Sequence, residues 1–214
     1  REFAAGLWTG RRADASWHSP ETACDYYDIK GVVEGLLDYL DVQGAVFTKV
    51  PETAPGYMRQ GYSANLVIGN EIIGVVGELN PEVLSNYGIK QPSYFFEVCL
   101  NLLIPLIPEK KSLTPIPKYP SIARDMTLIV DKEIESGAIL HRIRNLDEEL
   151  VESAGVFDVF EGGTLPSSQK SISFRIIYRS PSETLDDERI NILHQSIADR
   201  ILSEFHADLP KTTA

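Results

Sequence analysis

The sequence has few cysteines, few basic residues and no long hydrophobic run. Its 214 residues include only Cys24 and Cys99, each in an apolar context, which argues against a disulfide framework and against a thiolate metal site. No apolar stretch approaches the roughly 20 residues that a transmembrane helix needs, and the chain opens without a signal-peptide pattern. We therefore expect a cytoplasmic protein without a membrane partner and with two buried, unreactive thiols.

Basic residues are outnumbered, with 20 Lys and Arg against 31 Asp and Glu and a net charge of −11. Without a polybasic segment, a nucleic acid could not be held by bulk attraction to phosphate, so any such role must rest on local geometry. The 43% of hydrophobic residues predict a soluble globular protein of one large or two ordinary domains. The start at Arg1, without a methionine, indicates a fragment of a longer polypeptide.

Signatures of catalysis and of metal binding are also missing from the sequence. The four histidines are far apart, and none belongs to a paired-ligand motif. There is no nucleophile elbow, phosphate-binding glycine loop or dinucleotide fingerprint. The acidic runs at 147–149 and 186–188 are more typical of solvated helix ends than of metal sites. We expect no catalytic residue and no metal ligand in this chain.

The first half alternates between strand and helix patterns. A helix is predicted over 28–40, with its apolar side chains at spacings of three and four and Asp25 or Asp28 as the cap. The Gly69-Asn70 pair predicts a hairpin, and Asn80-Pro81 predicts the start of a short helix. Strands are predicted at 3–10, where we expect a buried strand, and at 62–68, 71–79 and 94–100. These elements predict an antiparallel sheet with helices against one side, which is an α+β arrangement.

Five prolines between 105 and 120, with Lys110-Lys111 among them, predict a stiff and exposed connection. We expect the domain boundary there. The predicted division is a first domain at 1–109, a linker at 110–118 and a second domain at 119–209.

The second half has the order βαββαβ. Strands are predicted at 126–130, 151–160, 171–179 and 206–209, and helices at 136–146 and 184–205, the latter capped by Thr184. This order predicts a ferredoxin-like sheet with two helices on one face and the other face open. An open sheet face is a place where a ligand can bind.

Alternation along the strand at 171–179 indicates which side chains occupy the open face. Residues 172, 174, 176 and 178 are apolar and would face the helices, whereas Ser173, Arg175 and Arg179 would face solvent. Arginine pairs with phosphates and stacks on bases, and a hydroxyl reads a base edge. Tyr119, Arg124 and Phe160 would border the same face. Ordinary strand alternation with polar residues outside is the alternative interpretation.

Several motifs together resemble one family. The second half contains Tyr119-Pro120-Ser121-Ile122-Ala123-Arg124-Asp125, Phe157-Asp158-Val159-Phe160-Glu161-Gly162, Lys170-Ser171-Ile172-Ser173-Phe174 and Thr184-Leu185-Asp186-Asp187-Glu188. They closely resemble the ferredoxin-like anticodon-binding domain of the bacterial phenylalanine-tRNA ligase beta subunit. The first half contains Asp25-Tyr26-Tyr27-Asp28 and Gly74-Val75-Val76-Gly77-Glu78-Leu79-Asn80-Pro81. It is similar to the end of the synthetase-like core of that subunit, and the resemblance implies an inactive class II synthetase-like core segment. The resemblance covers nearly the whole chain.

The resemblance implies an alpha2-beta2 tetramer that joins phenylalanine to tRNA(Phe) with ATP and magnesium. It places the aminoacylation site in the alpha subunit, so this chain alone would bind tRNA and support assembly without catalysis or a cofactor of its own. Residues 1–112 agree, because their only arginines are Arg1, Arg11, Arg12 and Arg59. One departure is Arg59-Gln60-Gly61, where the family usually shows His-Pro-Gly.

A second class of function is open to a βαββαβ sheet. Small-molecule-sensing regulatory domains share this fold, and fold alone does not decide function. A thermal shift with free amino acids, but none with tRNA, would indicate a sensor.

Overall fold

A computed structural model describes residues 1–18, 20–51, 56–110, 115–146, 149–163 and 165–210. The chain divides into two compact units, Arg1–Leu113 and Thr114–Ala214. Among the described residues, none of the helices combines the length and the hydropathy that a transmembrane segment requires. Lys111 of the expected linker and most of the acidic run 147–149 lie outside the described residues.

The first unit is built around one antiparallel sheet of five strands. Its elements in chain order are β1 (Phe3–Thr9), α1 (Tyr26–Tyr39), β2 (Ala45–Lys49), β3 (Met58–Ile68), β4 (Glu71–Leu79), α2 (Pro81–Asn86), β5 (Ser93–Cys99) and α3 (Leu100–Leu103). The strand order is β1-β5-β4-β3-β2. The core lies between α1 and one face of the sheet, where the buried residues are Ile29, Val33, Leu37, Val42, Ala64, Leu66, Ile73, Val76, Val98 and Leu103. The predicted α+β fold is confirmed.

Local signals place α1 and the hairpin where the sequence predicts them. Asp25 caps α1 by accepting from the backbone N–H groups of Tyr27 and Asp28, and the Asp28 side chain completes a capping box. Gly69 has a φ of +61° in the turn between β3 and β4, as a two-residue hairpin requires. The Asn80 side chain accepts from the N–H of Glu82 and caps α2.

Four expectations for the first unit are corrected. The strand predicted as buried is β1, an edge strand, so Phe3 and Leu7 remain half exposed. Val32 points away from the core because only Ile29, Val33 and Leu37 of α1 are buried. β2 was not predicted. Pro105, the first of the five prolines, lies in a 3₁₀ turn at 104–106 that follows α3, rather than in an extended segment.

The second unit is a smaller sheet with two helices on one face. Its elements are β6 (Ile122–Asp131), α4 (Ser136–Arg144), β7 (Val151–Phe160), β8 (Gln169–Tyr178) and α5 (Asp187–Glu204). The three strands are antiparallel in the order β6-β8-β7. The core between the sheet and the helices includes Leu128, Ile139, Ile143, Ile172, Phe174, Ile176, Tyr178, Ile190 and Ile201, each fully buried. This is the predicted ferredoxin-like arrangement.

Two details of the second unit differ from the prediction. The expected strand at 206–209 is reduced to one bridge, in which Ile129 and Asp208 exchange backbone hydrogen bonds of 2.7 and 2.9 Å. His206 has a φ of +49°, which breaks the extended conformation immediately before the bridge. Asp186, rather than Thr184, occupies the N-cap position of α5, and its side chain makes no capping hydrogen bond.

Candidate nucleic-acid interface

The face of the second sheet opposite the helices is set by the register of its three strands. Phe174 on β8 is directly opposite Met126 on β6 and Val156 on β7, and this row faces the helices because Phe174 and Met126 are buried in the core. The neighbouring rows therefore point to the open face. They bring together Asp125, Thr127, Gly155, Asp158, Phe160, Ser171, Ser173 and Arg175. The predicted parity of β8 is confirmed.

Arg175 is an exposed cation on this face. Its Nε and NH2 donate to the two carboxylate oxygens of Asp125 at 2.8 and 2.7 Å. The guanidinium also lies over the ring of Phe157, 5.0 Å from the centroid. The Arg175 side chain is nevertheless 54% exposed. Both partners are held on the sheet, so the guanidinium has a fixed plane.

The charge of Asp125 is maintained by this contact. The hydrogen bonds and then the charge of Arg175 lower the pKa of Asp125 below its ordinary value, against the effect of partial burial. The same contact raises the pKa of Arg175. Both groups therefore stay ionised at neutral pH.

The sequence predicted that Ser173 faces solvent together with Arg175 and Arg179. In the structure, Ser173 is not exposed. It is buried, with 8% of its surface accessible, and its hydroxyl lies 2.9 Å from the Thr127 hydroxyl across the strand pair. Strands on both sides of central β8 cover a short side chain that alternation alone would place in solvent. Ser173 is thus committed to a cross-strand hydrogen bond.

Arg179 and Tyr119 meet at the end of the sheet. Arg179 donates from Nε to Glu152 at 2.8 Å and from NH1 to the backbone carbonyl of Tyr119 at 2.5 Å. Its side chain is only 25% exposed. Arg179 therefore anchors the segment that leads into β6, and the carbonyl rather than the ring of Tyr119 makes this contact.

Arg124 lies on the helix side of the sheet, so its expected place at the border of the open face is wrong. It is opposite Ile176, which is fully buried against the helices. Its guanidinium donates to Asn191 at 2.9 Å and pairs with Asp187, both on α5. The contact with α5 arises in the tertiary fold, and no sequence pattern indicates it.

Phe160 is on the open face as expected, and the structure adds two residues that the sequence reasoning missed. A register shift in β7 between Val156 and Asp158 brings Phe157 over Arg175. Phe157 and Phe160 are 53% and 52% exposed. Asp158 is exposed opposite Ser173, with no hydrogen bond or ion pair to another described residue. All four residues at 157–160 are exposed in the structure, whereas a strand with one face on a core buries alternate side chains. Alternation in the sequence therefore gave no signal for Phe157 and Asp158.

His194 lies behind the sheet and bonds to the core rather than to the open face. Its Nδ1 is 2.9 Å from the hydroxyl of Tyr178, which is fully buried. Burial lowers the pKa of His194, and the backbone of Asp125 and nearby charges make smaller contributions. The imidazole is thus held neutral within the fold.

The first unit offers a different surface. Asn65, Val75, Glu97 and Ala5 form a cross-strand row on the face away from α1. Within the described ranges, no group of three or more His, Cys, Asp or Glu side chains could hold a metal ion. The cross-strand row of Asn65, Val75, Glu97 and Ala5 contains no cation to bind a nucleotide phosphate.

Arg59 belongs to the Arg59-Gln60-Gly61 segment, which departs from the motif described above. Its guanidinium donates a hydrogen bond to the Glu78 carboxylate at 2.6 Å. The guanidinium also lies 3.8 Å from the centroid of the Tyr62 ring. The Glu78 side chain is only 6% exposed. Arg59 therefore provides the charge partner of a buried carboxylate.

Comparison with known proteins assigns both units. Residues 1–100 match the family model of the phenylalanyl tRNA synthetase beta chain CLM domain. Residues 117–210 match that of the ferredoxin-fold anticodon binding domain. Two relatives are the phenylalanine–tRNA ligase beta subunits of Geobacter sulfurreducens, 35% identical over 96% of this chain, and of Geobacillus kaustophilus, 33% identical over 97%.

The chain spans about a quarter of the length of these relatives, 25% and 26% respectively. A third beta subunit, from Clostridium tetani, is 32% identical over 86% of this chain and 23% of its own length. The order of the two matched models along the chain is the order of the two units in the structure. The chain belongs to the phenylalanine–tRNA ligase beta subunit family and carries its CLM domain followed by its ferredoxin-fold anticodon binding domain.

Proposed function

We propose that the second unit binds the anticodon stem-loop of tRNA(Phe) through the open face of β6, β8 and β7. The observation that carries this proposal is the group on that face formed by Arg175, Phe157, Phe160 and Asp158. Single-stranded loops of RNA are recognised by aromatic and guanidinium planes that stack on splayed bases, together with polar groups that read base edges. This face supplies both kinds of group.

Each side chain has a distinct chemical role in the proposal. Phe157 and Phe160 present exposed rings for stacking, which is tolerant of base identity. The carboxylate of Asp158 accepts hydrogen bonds from base N–H groups, which favours a base with such donors on its pairing edge. Arg175 engages a phosphate or a base plane. Tyr119, Ser173 and Arg179 contribute by shaping the sheet that holds these groups.

The acidity of the chain sets the expected strength of binding. A net charge of −11 repels a polyanion at long range, so affinity must come from contacts within the face. We expect the isolated chain to bind weakly and to depend strongly on a few side chains. In the whole enzyme, contacts elsewhere would add to this local recognition.

The first unit is proposed to be a synthetase-like core segment without aminoacylation activity. The cross-strand row on the sheet face away from α1 contains Asn65, Val75 and Glu97 and no cation, which supports this assignment. In the whole ligase, ATP and magnesium would act at the alpha subunit of an alpha2-beta2 tetramer in the cytoplasm, and this chain would support that assembly. We place the domains at 1–109 and 119–209, with a linker at 110–118.

Binding of tRNA(Phe), intact and without its anticodon loop, tests the proposal. The full chain should bind the intact tRNA and lose most of its affinity when the loop is removed. Phe160→Ala and Arg175→Ala should weaken binding. Arg189→Ala is the matched control, because Arg189 is similarly exposed and paired with Glu183 at 2.6 Å but lies on α5. Equal affinity for both RNAs would refute the proposal.

The regulatory alternative gains no support from the comparisons. It predicts a thermal shift of the chain with free amino acids in the absence of RNA. No shift with amino acids, together with loop-dependent binding of tRNA, would exclude it.

A further inference from the structure

The ion pair between Asp125 and Arg175 is unexpected on a face that is proposed to bind a polyanion. The two residues are directly opposite each other on β6 and β8, and Asp125 accepts from both Nε and NH2 of Arg175. That edge of a guanidinium is one that a phosphate would bind with two parallel hydrogen bonds. A phosphate at this position would have to displace a carboxylate that the sheet holds in place.

The planar faces of Arg175 have a different environment from its edge. The guanidinium carbon lies over the ring of Phe157, 5.0 Å from its centroid. More than half of the Arg175 side chain is exposed, which leaves surface for a ligand. A guanidinium that is fixed along one edge and backed by an aromatic ring presents a flat surface to solvent. Bases of single-stranded RNA stack on such planes.

We propose that Asp125 is a specificity-determining residue that makes Arg175 a stacking surface for an RNA base and prevents it from binding phosphate. This inference rests on the function proposed above. The carboxylate cancels the attraction of Arg175 for the sugar-phosphate backbone, which is the same in every RNA. The stacked plane retains contact with an unpaired base, which only a suitably shaped loop presents. Attraction to the backbone contributes equally to the affinity for every RNA. Removing this contribution therefore increases the discrimination between loops.

Arg175→Lys separates the two roles of the arginine. Lysine keeps the positive charge but has no planar face. If Arg175 stacks on a base, Arg175→Lys should lose as much affinity for the anticodon stem-loop as Arg175→Ala. Neither variant should change the salt dependence of binding, because stacking releases no counterion. Wild-type affinity in Arg175→Lys would overturn the inference.

Asp125→Asn removes the carboxylate charge while keeping nearly the same side-chain shape. It should free Arg175 for phosphate and raise affinity about fivefold for a stem closed by an unrelated loop, with a log–log salt slope steeper by about 0.7. Affinity for the cognate stem-loop should stay unchanged or fall. Glu204→Gln is the matched control, because Glu204 pairs with Arg142 at 2.6 Å and its neutralisation changes net charge equally.

The experiment measures fluorescence anisotropy of the two labelled stem-loops with the full chain, over about 50 to 200 mM salt. Thermal melts of all variants confirm that each is folded. A shallower salt slope for Arg175→Ala with the cognate loop would show a phosphate contact and overturn the inference, while the proposed function would stand. Equal wild-type affinity for the two loops would overturn both.

Discussion

Replacing Phe174 by alanine should destabilise the second unit severely, while the adjacent replacement of Arg175 by alanine should not. Phe174 is fully buried, and its strand neighbours on that face are Met126 and Val156. Truncation of a buried phenylalanine to alanine costs about 3–5 kcal/mol, because it loses the burial of the ring and leaves a cavity. Domains of this size are stable by only about 5–15 kcal/mol.

The loss of stability caused by Phe174→Ala should lie in the upper part of the 3–5 kcal/mol range, at about 4–5 kcal/mol. Phe174 lies on the central strand of the sheet, so helices cover it on one side and paired strands flank it. The surroundings cannot collapse easily into the space left by the ring. At about 4–8 °C for each kcal/mol, the melting temperature of the second unit should fall by at least about 16 °C.

Calorimetry should follow this transition, because tryptophan fluorescence does not report on the second unit: both tryptophans, Trp8 and Trp17, are in the first unit. Tryptophan fluorescence then reports on the first unit as an internal control, and its transition should not move. If Arg175→Ala unfolds the second unit while Phe174→Ala leaves it intact, the assignment of the two sheet faces is reversed. If the tryptophan transition shifts with Phe174→Ala, the two units do not unfold independently.

Five further results are expected. The stability that the second unit gains from keeping His194 neutral should be fully present above about pH 6.5. It should be lost as the pH falls through the lowered pKa of His194, because the unfolded chain then binds a proton that the fold resists. In pH-dependent melts, His194→Gln should flatten this decline. Gly77→Ala should destabilise the first unit by about 1–3 kcal/mol, since the new Cβ would lie 2.6 Å from Ser63 Cα. Gly35→Ala, on an open helix surface, should stabilise it by up to about 1 kcal/mol in urea titrations. The purified chain should not support phenylalanine-dependent pyrophosphate exchange, and activity that copurifies with the chain would contradict this. Limited trypsin digestion should cut first near Lys110, and the two products should each melt cooperatively; a single inseparable transition would argue against a linker.

The sequence was most informative where structure depends on local chemistry. The capping box at Asp25, the turn at Gly69 and the cap at Asn80 act within a few residues, so their positions were predictable. The alternation that buries Phe174 is likewise a property of one strand. Helix α5 was found because its apolar stripe has a regular period.

The errors arose where position depends on elements that are distant in the chain. The placement of Arg124 depends on Asp187 and Asn191 across the fold, and burial of Ser173 depends on its central strand and Thr127. A pattern of alternation indicates two faces but does not say which polar residues pair across strands. Phe157 reached the open face through an irregular register, which period-two alternation cannot represent.

The contact between Arg59 and Glu78 has a consequence for how this family can vary. A carboxylate that is 6% exposed cannot lose its cationic partner without remaining buried and uncompensated. The two positions should therefore change together among homologues: a neutral residue at the first requires a neutral residue, or a new donor, near the second. Stacking of Arg59 on Tyr62 adds a third position to this group. Covariation of the three positions would mark them as one inherited structural unit.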